Sequence, residues 1–179
     1  GLPDPLGDDS VSIIQGGLQE VTGVMAGTYE VNEIALMSVE VIYRAMQCQR
    51  ALLFIHDVRS RLMEARFGYG MDIQRLVGNL SFSTGTAANA DLFSQSLNKG
   101  KDLLVEDAHS AQIHPLLPAW YRRYLDAKAF IFMPVINQKI CVAAYYADLD
   151  AFGPPVSSLE HQHLSNLRDQ LIRAIKLRR

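Results

Sequence analysis

The stretch at 130–148 constrains this chain more than any other. It reads Phe-Ile-Phe-Met-Pro-Val-Ile, then Asn137-Gln138, then Lys-Ile-Cys-Val-Ala-Ala-Tyr-Tyr-Ala-Asp. Two apolar runs of strand length flank a two-residue turn, and Asn tolerates the positive φ that a hairpin turn needs. A strand with one wet face shows a polar residue at every second position, and neither run does. Both strands are therefore predicted to be covered on both faces, at the centre of a sheet between helical layers. Pro134 cannot donate to a ladder and predicts a bulge or a locally unpaired site. The same proline, with the β-branched and aromatic content, argues against one long buried helix.

The chain has 179 residues, 49% hydrophobic and 20% charged, with a formal net charge of −2. A chain of this size fits one domain that buries roughly 70% of its unfolded surface. Near-zero net charge gives no electrostatic reason to expect nucleic acid or an anionic membrane as partner. No apolar run reaches the ~20 residues needed to span a bilayer. Cys48 and Cys141 make no disulfide framework and read as buried free thiols in a reducing, cytoplasmic setting. The chain begins Gly-Leu-Pro without Met. Residues 1–9 are accordingly expected to be a linker or a cloning remnant. Residues 10–179 are expected to be a single domain of a longer protein, with a further domain upstream.

Asp8, Asp9 and Ser10 can cap a first helix. Val11, Ile14, Leu18, Val21 and Met25 then repeat at spacings of 3 and 4, a stripe as narrow as a coiled-coil seam. Gly16 and Gly17 weaken that helix by about 1 kcal/mol each. A second helix, 29–47, has the broader apolar face Val31, Ile34, Ala35, Val39, Ile42, Ala45, Met46 and is expected on the sheet. Residues 50–57 and 61–69 read as an antiparallel pair, 71–77 as a short helix and 80–83 as a short strand. A helix over 90–98 stops at Lys99-Gly100. A brief strand covers 103–106, an irregular segment 107–118, and a short helix 119–126. Ser157-x-x-Glu160 is a capping box that opens the last helix. Leu164, Leu167, Leu171, Ala174 and Ile175 form that helix's stripe. Strands joined by tight turns without regular crossover helices imply an α+β fold with an antiparallel sheet.

Together these features resemble a GAF domain over nearly the whole chain, from about Ser10 to Lys176. The carriers are the paired helices before Arg50, the 50–69 hairpin, the 130–148 hairpin with Met133-Pro134, and the closing helix. More narrowly, Asp91-Leu-Phe, Lys99-Gly100 and Leu104-Val105-Glu106-Asp107-Ala108 resemble the GAF-like region that follows HDOD domains in bacterial signalling proteins. Leu117-Pro118-Ala119-Trp120-Tyr121 and Tyr145-Tyr146-Ala147-Asp148 do so as well. The resemblance implies a GAF-like, profilin/PAS-related sheet with the N- and C-terminal helices on one face. Short helices and loops, 82–98 and 107–124, would cover a small-molecule pocket on the other. GAF domains bind varied ligands or none, so no cofactor is identified. The thiol that bilin attachment needs on the covering segment is missing. The cysteines of the free-methionine-sulfoxide-reducing GAF enzymes and the Asn-Lys-Phe-Asp-Glu signature of cyclic-nucleotide GAF domains are missing too.

The remaining candidates have competing plain readings. His56-Asp57 spells the dipeptide of the HD phosphohydrolases, but adjacent strand residues point to opposite faces, so it reads as chance. Glu106, Asp107, His109 and His114 could gather round a metal ion, or form a solvated loop. His161 and His163 do not share a helix face and read as surface. Ser83-Thr84-Gly85-Thr86 can hold an anion or simply make a turn. Trp120 and Tyr121 suit a pocket lid or a sealed core equally.

The expectation is thus a non-catalytic regulatory sensor of a bacterial signal-transduction protein. Its pocket would lie beside Phe82, Thr84, Trp120 and Tyr121. A homodimer seam would use Val11, Ile14, Leu18, Val21, Leu164, Leu167 and Leu171. The alternatives are a dedicated high-affinity small-molecule receptor, or a metal-dependent hydrolase or redox enzyme built on the 106–114 loop.

Overall fold

Alternation along the strands decides the architecture. A computed structural model describes residues 5–84 and 91–178. Six strands form one antiparallel sheet: β1 (Arg50–Asp57), β2 (Leu62–Gly70), β3 (Ser81–Ser83), β4 (Leu103–Val105), β5 (Ala129–Asn137) and β6 (Ile140–Leu149). Their spatial order is β3-β2-β1-β6-β5-β4. Ala51, Leu53, Ile131, Met133, Val135, Ala143, Tyr145 and Ala147 enter one core. Leu52, Phe54, Phe130, Phe132, Ala144 and Tyr146 enter the other. Both faces are buried, as the missing polar alternation requires.

On β2 the pattern changes hand partway. Met63 and Ala65 join the second core, whereas Phe67 and Tyr69 pack on the first. The pairing jumps from Leu53↔Phe67 to Phe54↔Ala65, leaving Arg66 as the extra residue of a bulge. One added residue turns every later side chain to the opposite face.

The β5–β6 turn is one residue later than the sequence suggests. Gln138 and Lys139 make it, with φ of 52° and 67°, and Asn137 pairs with Ile140 instead. Positive φ at both central residues gives the twist that a two-residue hairpin needs. The displacement follows a register shift between Val135 and Ile136. Pro134 lies beside that shift. It also lies past the reach of β4, which pairs with β5 only through Phe130–Phe132. Its missing N–H therefore breaks no β4 ladder, and its carbonyl accepts from Arg168 Nη1 at 3.1 Å.

The first core, here the outer face, is covered by α1 (Pro5–Met25), α2 (Val31–Met46) and α6 (Ser158–Leu177). α1 starts at Pro5, ahead of the expected Asp8–Ser10 cap, in the first-turn position that suits proline. Ser10 is instead a buried mid-helix residue whose Oγ donates to Glu160 Oε2 at 2.7 Å. Gly17 has a packing reason: a Cβ there would fall 2.7 Å from Val41 Cγ1 and closer still to Cγ2. The Ser157–Glu160 capping box forms as expected.

The second core, the inner face, is covered by α3 (Ile73–Leu76), α4 (Leu92–Lys99) and α5 (Ala119–Tyr124). Asp91 Oδ1 accepts the Ser94 N–H to cap α4, and Gly100 stops it in the left-handed region at φ 64°. Between β4 and α5 the irregular segment holds a short 3-10 turn, His114–Leu116.

Candidate functional site

The inner face is built from rings. Phe54 and Phe132 rise from β1 and β5, Phe82 from β3, Phe93 from α4, and Trp120 and Tyr121 from α5. Phe82 and Trp120 stack at 4.4 Å, and Phe93 meets Phe132 edge-on at 5.0 Å and Trp120 at 4.9 Å. Such ring pairs add about 0.5–1.5 kcal/mol each beyond their burial. The structure thus brings together Phe82, Trp120 and Tyr121. Tyr121 is fully buried, Phe82 nearly so, and Trp120 keeps an exposed edge. Thr84 lies at the margin, where its N–H and Oγ1 both donate to the Arg61 carbonyl. Gly85 and Thr86 of the proposed anion loop lie outside the described residues.

Beneath α5 sits a buried polar chain that sequence reasoning missed. Arg50 Nε donates to Asp148 Oδ2 at 2.7 Å, and the two side chains are 3% and 0% exposed. Tyr146 donates to the same oxygen at 2.6 Å, and its hydroxyl lies 3.0 Å from that of Tyr121. Arg50 Nη2 also donates to the Leu125 carbonyl, which caps the end of α5. The chain therefore keys α5 to β1 and β6. Burial pushes the Asp148 carboxyl above its ordinary range, against the pull of Arg50. Burial also raises Tyr146 well above the usual phenol. Asp148 Oδ1 has no partner. The signal was present: Arg50 and Asp148 stand two residues from Leu52 and Tyr146, in the inward-facing frame.

A second missed cluster lies at the sheet edge. Asp102 is held by His161 at 2.8 Å and Arg168 at 2.6 Å. His161, expected at the surface, is only 28% exposed because α6 carries it onto this carboxylate.

His56 does not meet a metal cluster. Its Nδ1 lies 3.0 Å from the Cys141 carbonyl and its Nε2 is buried without a partner, while Asp57 Oδ1 accepts the Arg59 N–H. In the 106–114 loop, Asp107 accepts the His109 N–H, and the His109 ring sits edge-on to Phe152. Among the described residues, no three His, Cys, Asp or Glu side chains gather to hold a metal. Burial pushes the Cys48 thiol up to about 12 and the Cys141 thiol up to about 11, far from the range of a reactive thiolate.

The two stripes are spent largely inside the chain. Ile14, Val21, Leu164, Leu167 and Leu171 are all within 2% of full burial in the outer core, and Leu18 packs against them. Val11 is partly exposed. What α1 and α6 leave on the outside is a groove lined by Thr22, Met25, Ala26, Gln170, Arg173 and Leu177.

No family profile and no curated protein matches the sequence. Solved structures do match the fold. The GAF domain of an Acinetobacter phosphoenolpyruvate-protein phosphotransferase is 15% identical, with a TM-score of 0.73 over 93% of this chain and 92% of that one. Free methionine-R-sulfoxide reductase from Neisseria meningitidis, solved with its substrate, is 16% identical, with a TM-score of 0.71 over 98% and 93%. A GAF domain/HD domain protein from Geobacter sulfurreducens is 14% identical, with a TM-score of 0.68 over 84% and 95%. At that level of structural similarity this chain has the fold of a GAF domain.

Proposed function

We propose that this chain is a non-catalytic regulatory module of a bacterial signal-transduction protein. It takes a small molecule against the inner face, beside Phe82, Thr84, Trp120 and Tyr121, and pairs with a second copy through α1 and α6. The observation that carries this reading is the unlike covering of the two faces. Long helices seal one, and short helices over an aromatic cluster seal the other. A flat apolar ligand suits such rings, entering by parting Trp120 from Phe82. The raised thiols of buried Cys48 and partly buried Cys141, with the ungathered loop at 106–114, favour a binding role over a catalytic one. The narrower reading, a module of the kind that follows HDOD domains, rests on the 91–108 and 117–121 resemblances.

Because the stripe leucines face inward, the contact between copies would use the groove flanked by Ala26 and Leu177, both exposed. Gly16 and Gly23 add a second reason. Neither has a neighbour within 4 Å of its would-be Cβ among the described residues, so no packing contact shown there requires a glycine. No helix among the described residues is long and apolar enough to cross a membrane.

A thermal-shift panel of nucleotides, amino acids and tetrapyrroles tests the ligand. The expected result is a Tm rise that Trp120→Ala abolishes. Sedimentation at micromolar concentration tests the pairing, with a dimer that Ala26→Glu and Leu177→Glu dissociate. No shift with any compound, together with a strict monomer, would overturn the proposal.

A further inference from the structure

Two layers divided by a sheet can communicate round its edge. β4 is an edge strand, and Asp102 stands immediately before it. Its carboxylate lies against α6. Oδ2 accepts from His161 Nε2 at 2.8 Å and Oδ1 from Arg168 Nη1 at 2.6 Å. A carboxylate only accepts, so His161 carries its proton on Nε2. The two donors stand about two helical turns apart, so one face of α6 presents both. Arg168 is fixed in turn by the Pro134 carbonyl and by Ser165 Oγ.

On its other side Asp102 is tied to α4. The Lys101 N–H donates to the Ser96 carbonyl at 3.2 Å, and Ser96 Oγ donates back to the Lys101 carbonyl at 2.6 Å. Gly100 completes the rigid turn between them. α4 itself plants Leu92, Phe93 and Leu97 in the inner core. The segment from Phe93 to Asp102 is thus one bonded unit with a foot on each side of the sheet.

We propose that Asp102 is a latch through which the position of α4 over the inner face sets the order of α6 on the outer face. Its side chain is 11% exposed and that of Arg168 is 19%. A pair so far out of water does not stretch gradually, because separation leaves both charges poorly solvated. α4 and α6 therefore either move together or part at this contact, which is the discrete behaviour that coupling requires. Its use in signalling rests on the sensor reading above; its mechanics do not.

Amide hydrogen exchange tests the latch with no ligand present, so its failure and that of the sensor reading are separate. Four proteins are compared: the parent, Phe93→Leu, Asp102→Asn and the double variant. Phe93→Leu loosens α4 from within. It is expected to speed exchange at 159–168 at least threefold in the parent background and more than at 31–46, a helix that the Asp102 side-chain bonds to His161 and Arg168 do not touch. In the Asp102→Asn background the added acceleration falls below half of that on a logarithmic scale. An acceleration retained by half or more, one shared equally with 31–46, or none in the parent background overturns the latch. If Asp102→Asn does not fold, His161→Phe combined with Arg168→Gln removes both donors from the α6 side and is read by the same criteria.

Discussion

The two faces of this sheet are held by different physics. The outer core is largely aliphatic and closed by helices of 16 to 21 residues. Its stability comes from area removed from water, about 1.5–3 kcal/mol for each fully buried large side chain. A buried hydroxyl pair serves it: Ser38 Oγ donates to the Ala35 carbonyl and lies 2.7 Å from the Tyr145 hydroxyl. The inner core is aromatic, closed by helices of 4 to 8 residues, and pinned by one buried ion pair and two phenols. Short helices have little stability of their own. Directional bonds therefore do on this face what length does on the other. A layer placed by a few directional contacts can shift as a unit, which a continuous aliphatic seam resists.

Four measurements break or sharpen this contrast. Asp148→Ala strands Arg50 in the inner core and is expected to cost about 3–5 kcal/mol in urea denaturation, more than an outer-face substitution of similar volume. The paired change Arg50→Met with Asp148→Leu removes both charges and should cost clearly less than the single one. If it costs as much, directional bonding is not what holds this face.

Gly17→Ala forces a methyl against Val41 and is expected to destabilise by about 1–3 kcal/mol. Gly16→Ala, one residue away with open space, should stabilise by up to about 1 kcal/mol. The opposite signs at adjacent positions test whether the outer seam is close-packed.

Cys48 lies where α2 joins β1, close to the inner-face charges, and gives a pH test. Its thiol is raised from 9.0 to about 12 by burial, with Asp148 adding to the effect. Above pH 9 the unfolded chain ionises first and binds fewer protons than the folded one. The stability contribution is therefore full below pH 9 and is lost as pH rises towards 12. Between pH 8 and 10 the parent should lose about 1.4 kcal/mol more than Cys48→Ala. Equal losses would show that this thiol ionises in the fold as it does in water. Smallest is Ser157→Ala, which removes the cap of α6 and is expected to cost about 1 kcal/mol, read as a lowered Tm.

Much of this molecule is legible in the order of its residues. The lack of polar alternation at 130–148 demanded cover on both faces, because side chains of a strand leave it in alternate directions. Arg50–Asp57, the stop at Gly100 and the capping box at Ser157 follow from equally local rules. The stripes on α1 and α6 marked buried residues, yet periodicity states only that a face is covered. It does not say by which chain, and the fold covers most of these residues from within. The aromatic residues of the candidate site were visible one by one, but their stacking was not.

The local sequence determined which segments are helix or strand and which sides of them shun water, since those depend on neighbours within a few residues. Tertiary structure decided the rest. It moved the hairpin turn by one residue, turned β2 over at Arg66, and set Arg50 beside Asp148 and Arg168 beside Asp102, partners 98 and 66 residues apart. Those choices balance burial against charge solvation over the whole domain, and no window along the chain contains both sides of that balance.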